Sequence, residues 1–96
     1  MAILKQITGN LTDVVIVRKN VDISVSKVHI TCRDESNDLQ VRRLYLDDGT
    51  TEYDIIANVT IPVGASLEVN IPGYNYKVHD LKIKTTNSSD CTLIIQ

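Results

Sequence analysis

The stretch Leu44-Tyr45-Leu46-Asp47-Asp48-Gly49-Thr50-Thr51-Glu52-Tyr53 predicts a β-hairpin in the middle of the chain. Before the turn, Leu44 and Leu46 fall on one face of a strand, and Arg43, Tyr45 and Asp47 fall on the other. The Asp-Gly pair supplies the residue that adopts a positive φ in a tight hairpin turn. Nothing in this stretch has the form of a catalytic motif, so it predicts architecture and not chemistry.

Short apolar runs separated by polar turns continue on both sides of the hairpin. Alternating or continuous apolar residues over such short lengths are typical of β-strands that are covered on one face or on both. The runs that predict strands are residues 2–8, 13–18, 21–33, 39–47, 51–61, 67–71, 78–86 and 91–95.

The run from Val21 to Arg33 is the longest, and its apolar residues change parity along the way. They occupy odd-numbered positions up to Val25 and even-numbered positions from Val28 onward. A shift of one residue is what a β-bulge or a corner between two sheets produces, because a simple strand would otherwise turn its apolar residues outward. The sequence therefore predicts one long strand that bends at Ser26-Lys27.

Composition places the chain in the all-β class. Its apolar residues are nearly all Ile, Val and Leu, with three Ala and no Phe or Trp, and β-branched residues favour a pleated sheet over a helix. Ninety-six residues are enough for one modest core. We predict a single antiparallel β-sandwich domain, jelly-roll-like, with about eight strands over residues 1–96 and with residues 1–8 as an N-terminal arm or an edge strand.

Charge and hydropathy indicate no nucleic-acid or membrane partner. The formal net charge is −2, both signs are scattered, and the adjacent Arg42 and Arg43 are expected on opposite faces of a strand. No apolar run approaches transmembrane length, and the first residues lack a secretory signal, so synthesis in a cytoplasm is expected.

The sequence also indicates neither an enzyme nor a metal or cofactor site. It has two His, at positions 29 and 79, and four isolated Gly, which gives no support to a catalytic triad or to a phosphate-binding loop. Cys32 and Cys91 have too few neighbouring donors for zinc. They either pair across facing or adjacent strands or, as a reducing cytoplasm favours, serve as two buried thiols.

Four segments resemble small β-sandwich virion proteins of tailed bacteriophages. The segments are Leu11-Thr12-Asp13-Val14-Val15-Ile16-Val17, Val28-His29-Ile30-Thr31-Cys32, Tyr45-Leu46-Asp47-Asp48-Gly49-Thr50-Thr51 and Asn58-Val59-Thr60-Ile61-Pro62-Val63-Gly64-Ala65-Ser66-Leu67-Glu68-Val69. The resemblance covers most of the chain as a pattern of strands and turns. The segment from Tyr74 to Asp80 departs from it, since a more regular approach to the next strand would be expected there.

The resemblance implies a structural protein of the virion that is made in the cytoplasm of the host bacterium. A capsid decoration (cement) protein is the first expectation, with the major capsid protein or another virion protein as partner and a homo-oligomer, by shell symmetry a trimer, as the assembly. A neck, tail, baseplate or fibre component is the alternative. A carbohydrate-binding module is a second alternative, from a different class, because jelly rolls also host such modules.

Three groups of residues are the expected contact surface of this structural protein, and each also fits an ordinary solvated surface. One group is the N-terminal run, one is the surface of the central hairpin, and one is a tyrosine loop that either anchors an interface or covers the end of the core. In order, the residues are Ala2, Ile3, Leu4, Lys5 and Ile7; Arg42, Arg43, Asp47 and Asp48; and Tyr74 and Tyr76.

Overall fold

The computed structural model describes residues 3–7, 14–86 and 90–96, and within these ranges all regular secondary structure is β-strand. The strands are β1 (Ile3–Ile7), β2 (Val14–Val17), β3 (Lys27–Cys32), β4 (Leu39–Asp47), β5 (Glu52–Ile61), β6 (Ser66–Asn70), β7 (Asp80–Thr85) and β8 (Cys91–Ile95). They form two four-stranded antiparallel sheets, ordered β1-β8-β3-β6 and β2-β7-β4-β5. The predicted all-β sandwich of about eight antiparallel strands is therefore confirmed.

The strand pairs are nested around the central hairpin. β4 pairs with β5 across the turn, and outward from it β3 pairs with β6, β2 with β7 and β1 with β8. Two further pairings, β3 with β8 and β4 with β7, join these strand pairs into the two sheets. This is a jelly roll, in which the nested strand pairs alternate between two packed sheets.

The winding gathers the loops at two ends of the sandwich. The hairpin end consists of residues 18–26, 48–51 and 71–79, and the far end consists of residues 33–38, 62–65, 86 and 90. At the hairpin end, the amide of Asn20 donates a hydrogen bond of 2.6 Å to the carbonyl of Tyr76, which joins two loops. At the far end, the amide of Arg33 donates to the carbonyl of Asp90 at 3.1 Å.

The core lies between the sheets and is filled by aliphatic side chains and the two cysteines. In β3 and β8, every second residue is buried, which is the period expected for strands with one covered face. The opposing sheet contributes buried residues from β7, where they alternate, and from β4, where a bulge interrupts the alternation. Fully buried side chains from the two sheets include Val28, Ile30, Leu93 and Ile95 on one side and Val41, Leu44, Leu81 and Ile83 on the other.

Bulges interrupt three strands of the second sheet. The register with a neighbouring strand shifts at Ile16 in β2, at Arg42 in β4 and at Ile55 in β5. A bulge leaves one residue unpaired and increases the local twist, which discourages pairing with another chain at an edge strand. The bulge at Arg42 also breaks the alternation that had placed Arg42 and Arg43 on opposite faces. Neither arginine is buried, while Val41 and Leu44 on either side of them enter the core.

The single long strand predicted from Val21 to Arg33 is wrong, because only Lys27–Cys32 forms a strand. Upstream of it, the amide of Ile23 donates a hydrogen bond to the carbonyl of Val21 at 2.8 Å, which closes a three-residue turn. Val25 still packs in the core, so its apolar character reflects burial in a loop and not a sheet ladder. The predicted shift at Ser26-Lys27 coincides with the start of β3.

Candidate functional site

The outer face of the second sheet carries a network of ion pairs centred on Arg43. Its guanidinium donates from Nε to Oδ1 of Asp54 at 2.7 Å and from Nη1 to Oε1 of Glu52 at 2.8 Å. Hydrogen bonding to Glu52 is the main reason that the pKa of Arg43 is raised. Arg43 also lies 3.8 Å above the centroid of the Tyr45 ring, which is only 1% exposed. Arg43 therefore shields an aromatic ring from solvent in addition to pairing with two carboxylates.

Asp47 and Asp48 organise the turn of the central hairpin. Asp47 accepts from Nζ of Lys82 and from the amide of Gly49, at 2.7 Å and 2.8 Å, and these bonds hold the pKa of its carboxyl below the ordinary value. Asp48 accepts from the amides of Thr51 and Thr50, which likewise lowers its pKa. Both carboxylates thus have structural partners inside the domain, and Asp47 is only partly accessible to another protein.

The tyrosine loop meets the start of β5 at the hairpin end. The His79 ring lies 6.3 Å from that of Tyr74 and 6.4 Å, edge to face, from that of Tyr53, which is 51% exposed. Oη of Tyr74 is buried without a hydrogen-bond partner in the described part of the chain, and burial is the main cause of its raised pKa. Tyr76 lies elsewhere in this loop, with Nζ of Lys77 5.9 Å from the centre of its ring.

β1 is the outer strand of the first sheet, where it pairs only with β8 among the described strands. Leu4 points to solvent with 72% of its surface exposed, the largest value among the exposed large hydrophobic residues. Ile7 is in the core, and Nζ of Lys5 donates to the carbonyl of Val15 in the opposite sheet at 3.2 Å. Ala2 lies outside the described residues.

A shallow cleft opens on the outer face of the second sheet, next to the bulge of β4. It has a volume of about 280 Å³ and is lined by Gln40, Val41, Arg42, Asn58, Val59, Thr60 and Thr86. Nη1 of Arg42 donates to Oδ1 of Asn58 at 3.2 Å, and Oγ1 of Thr86 donates to Oε1 of Gln40 at 3.0 Å. Asn58 has a φ of 56° in the middle of β5, a left-handed conformation that Asn tolerates better than most residues.

The structure brings some of the predicted contact residues together and separates others. Arg43 and Asp47 share the outer face of β4, and Tyr53 links the hairpin to the loop of Tyr74. The N-terminal strand belongs to the other sheet, and Arg42, the bulged residue of β4, lines the cleft. Sequence reasoning did not single out Tyr53, Asn58 or Thr60 as site residues. No local pattern marks them, because their partners come from other strands.

The described residues form no metal centre, since no three His, Cys, Asp or Glu side chains in 3–7, 14–86 and 90–96 form a group that could hold an ion. Of the two histidines, His29 on β3 lies opposite Glu68 on β6, and Nδ1 of His29 is 4.0 Å from Oε2 of Glu68. In the described ranges, no helix is long and apolar enough to cross a membrane.

Comparison with known proteins shows a likeness to solved structures and no sequence relative. No protein-family model matches the chain, and no curated protein matches it. Among solved structures, the chain is similar to the solution NMR structure of a de novo designed double-stranded beta-helix, at 11% sequence identity and a TM-score of 0.38. The match covers 100% of this chain and 96% of the designed one.

Proposed function

We propose that the chain is a non-enzymatic structural protein of a tailed-bacteriophage virion, namely a capsid decoration protein that stabilises the head through protein–protein contacts. The proposal starts from the resemblance of its strand and turn segments to small virion proteins. It places the chain on the assembled particle, with the major capsid protein as partner and a homo-oligomer as the working unit.

The observation that carries the proposal is an uncharged patch on the outer face of the first sheet. We name it the β1 patch and define it as Leu4, Gln6, Thr92 and Ile94. Leu4 pairs with Ile94 and Gln6 pairs with Thr92, so the four side chains form two adjacent rows. Leu4 and Gln6 are exposed, and Thr92 and Ile94 are half-buried. An apolar pair bordered by polar residues is typical of a protein interface.

The position of this patch at a sheet edge supports the same role. The outer edge of β1 presents backbone groups that no described strand pairs with, and such an edge can be covered by a neighbouring chain. In contrast, the central hairpin uses its charged side chains internally, in the bonds of Arg43, Asp47 and Asp48 described above. The β1 patch is therefore our choice for the contact with the shell, and a small patch repeated by symmetry can stabilise a large particle.

The first test is the copy number of the chain in purified particles of the virus that encodes it, measured by quantitative mass spectrometry. A ratio close to that of the major capsid protein is expected for decoration. A far lower ratio would contradict decoration and indicate a neck, tail, baseplate or fibre component. Absence from the particle would overturn both assignments.

The second test concerns the β1 patch itself. Leu4→Glu should abolish binding to shells that lack the protein, because a charge would be buried at the centre of the contact. Val63→Glu is the matched control, since Val63 is 41% exposed and lies at the far end of the sandwich. If Leu4→Glu binds shells as well as Val63→Glu does, the patch is not the contact. Deleting β1 would be a poorer test because it also removes Ile7 from the core.

A carbohydrate-binding module is the second candidate, and the exposed Tyr53 ring beside His79 is the observation that favours it. Aromatic side chains of this kind provide amphipathic contact surfaces for ligands. Binding on a glycan array that is lost in Tyr53→Ala and retained in Val63→Ala would support this function over the structural role. An array without signal would eliminate it.

A further inference from the structure

The cleft on the second sheet has features of a binding site that the structural role does not require. Two irregularities shape it: the bulge at Arg42 in β4, and the left-handed residue Asn58 in β5. Together they bring the Arg42 guanidinium against the Asn58 amide on the outer face of the sheet. Bulges and left-handed non-glycine residues inside strands concentrate at functional sites, where they redirect particular side chains.

Arg42 differs from its neighbour Arg43 in lacking a carboxylate partner among the described residues. Arg43 is bound by Glu52 and Asp54, whereas the contact of Arg42 is the neutral side-chain oxygen of Asn58 at 3.2 Å. No acidic side chain lines the cleft. The positive charge of Arg42 therefore lies in the cleft without internal neutralisation.

Neutral groups that can donate hydrogen bonds lie around the guanidinium. Asn58 accepts from Arg42 through its oxygen, so its NH2 group remains available to donate, and Thr60 contributes a hydroxyl. Nη1 of Arg42 is occupied by Asn58, and Nε and Nη2 have no acceptor in the part of the chain that the structure describes. A guanidinium with neutral donors beside it matches an oxyanion, because two N–H groups of Arg can bind two oxygens of one carboxylate, sulfate or phosphate group.

We propose that this cleft binds the oxyanion group of a small ligand, with Arg42 as the principal contact and Asn58 and Thr60 as supporting donors. A volume of about 280 Å³ accommodates one carboxylate, sulfate or phosphate with the few atoms attached to it. The site is independent of the β1 patch, which belongs to the other sheet. Binding here would give the protein a small-molecule ligand in addition to its protein partner.

NMR titration of the isotope-labelled protein tests the proposal with acetate, glucuronate, sulfate and phosphate as probes and with glucose as the neutral control. At least one anion should produce saturable shifts of the amides of residues 40–42 and 58–60, and glucose should produce none. The carboxylates and the tetrahedral anions are compared at equal ionic strength, so that their relative affinities identify which oxyanion geometry the cleft prefers.

Variants then assign the binding to the cleft. Arg42→Gln should weaken it at least about tenfold, since charge-assisted hydrogen bonds are lost. Arg42→Lys should weaken it less, because it keeps the charge but loses the planar fork. Arg18→Gln, which removes the same charge from an exposed residue at the hairpin end, should change it by less than about twofold because distant surface charges are screened. Thr60→Val removes one donor without changing the charge and should also weaken binding.

Two results would overturn the proposal. One is the absence of saturable shifts with all four anions. The other is an equal effect of Arg42→Gln and Arg18→Gln, which would show that the anions respond to net charge alone.

Discussion

Cys32 on β3 lies directly opposite Cys91 on β8, and both thiols are free and wholly buried. Sγ of Cys32 donates to the carbonyl oxygen of Asn37 at 3.5 Å. Burial raises the pKa of the Cys91 thiol to about 11, and the neighbouring Cys32 adds to this rise. Of the two alternatives left open by the sequence, the structure has the pair of buried thiols, on adjacent strands.

Stability is expected to decrease as the pH rises from about 9 to about 11, the range between the ordinary and the folded-state pKa of Cys91. The raised pKa means that the folded protein keeps this thiol neutral while the unfolded chain ionises it. The contribution of the neutral Cys91 thiol to stability is therefore complete below pH 9 and is lost as the pH rises through the folded-state pKa. Urea unfolding should show a loss of about 2–3 kcal/mol from this group. In Cys91→Ala the decline should be smaller; an unchanged decline would contradict the assignment.

Removal of Arg43 should destabilise the domain because this side chain covers Tyr45. Arg43→Ala would expose a ring that is now 1% exposed and would leave Glu52 and Asp54 without their cation. We expect a decrease of about 2 kcal/mol in the free energy of unfolding, measured with urea.

The adjacent arginine is the natural control for that experiment. Arg42→Ala removes an exposed side chain with a single neutral partner and should change the free energy of unfolding by less than about 0.5 kcal/mol. Equal effects of the two substitutions would show that the contact between Arg43 and Tyr45 contributes nothing.

Loss of the Lys82 ammonium should raise the pKa of Asp47. In Lys82→Met this pKa is expected to move toward its ordinary value but to stay below it, since the amide of Gly49 still donates to the carboxylate at 2.8 Å. NMR titration of the Asp47 carboxyl carbon measures the change. Lys84→Met, two residues along β7, is the control and should leave Asp47 nearly unaffected.

The same pair determines part of the acid stability of the fold. Because the pKa of Asp47 is lowered on folding, its contribution is present above the ordinary value of 3.8 and is lost as the pH falls through the folded-state value. Lys82→Met should therefore show a weaker loss of stability in acid than the native chain does. An identical acid profile would contradict the role of this ion pair.

Gly49 should be needed for its backbone conformation and not for space. Its φ is 93°, and a Cβ added there would meet nothing within 4 Å, so the cost of Gly49→Ala comes from the left-handed backbone alone. We expect a loss of about 1 kcal/mol in urea unfolding. Thr50→Ala, at the next exposed position of the turn, should change the stability by less than about 0.5 kcal/mol. A Gly49→Ala variant as stable as Thr50→Ala would refute the conformational explanation.

The sequence by itself determined the all-β class, the central hairpin at Asp48-Gly49 and the approximate positions of the strands. Period-two hydrophobicity and turn residues are local signals, and each can be read within a few neighbouring residues. The same local reading failed from Val21 to Val25, where apolar residues alternate in a loop. Ile23 and Val25 pack against the core without pairing in a sheet, and Val21 is 46% exposed.

Only the tertiary structure decided the nested order of the strands and the contacts that depend on it. Cys32 and Cys91 lie opposite each other because β3 and β8 are neighbours, and the cleft of Arg42, Asn58 and Thr60 joins β4 and β5 beside a bulge. A bulge reverses the parity of every later residue in its strand, and no local pattern specifies which strands become neighbours. The contacts on the surface of this domain therefore depend on how the strands wind into two sheets. The central hairpin, in contrast, follows from a local pattern in the sequence.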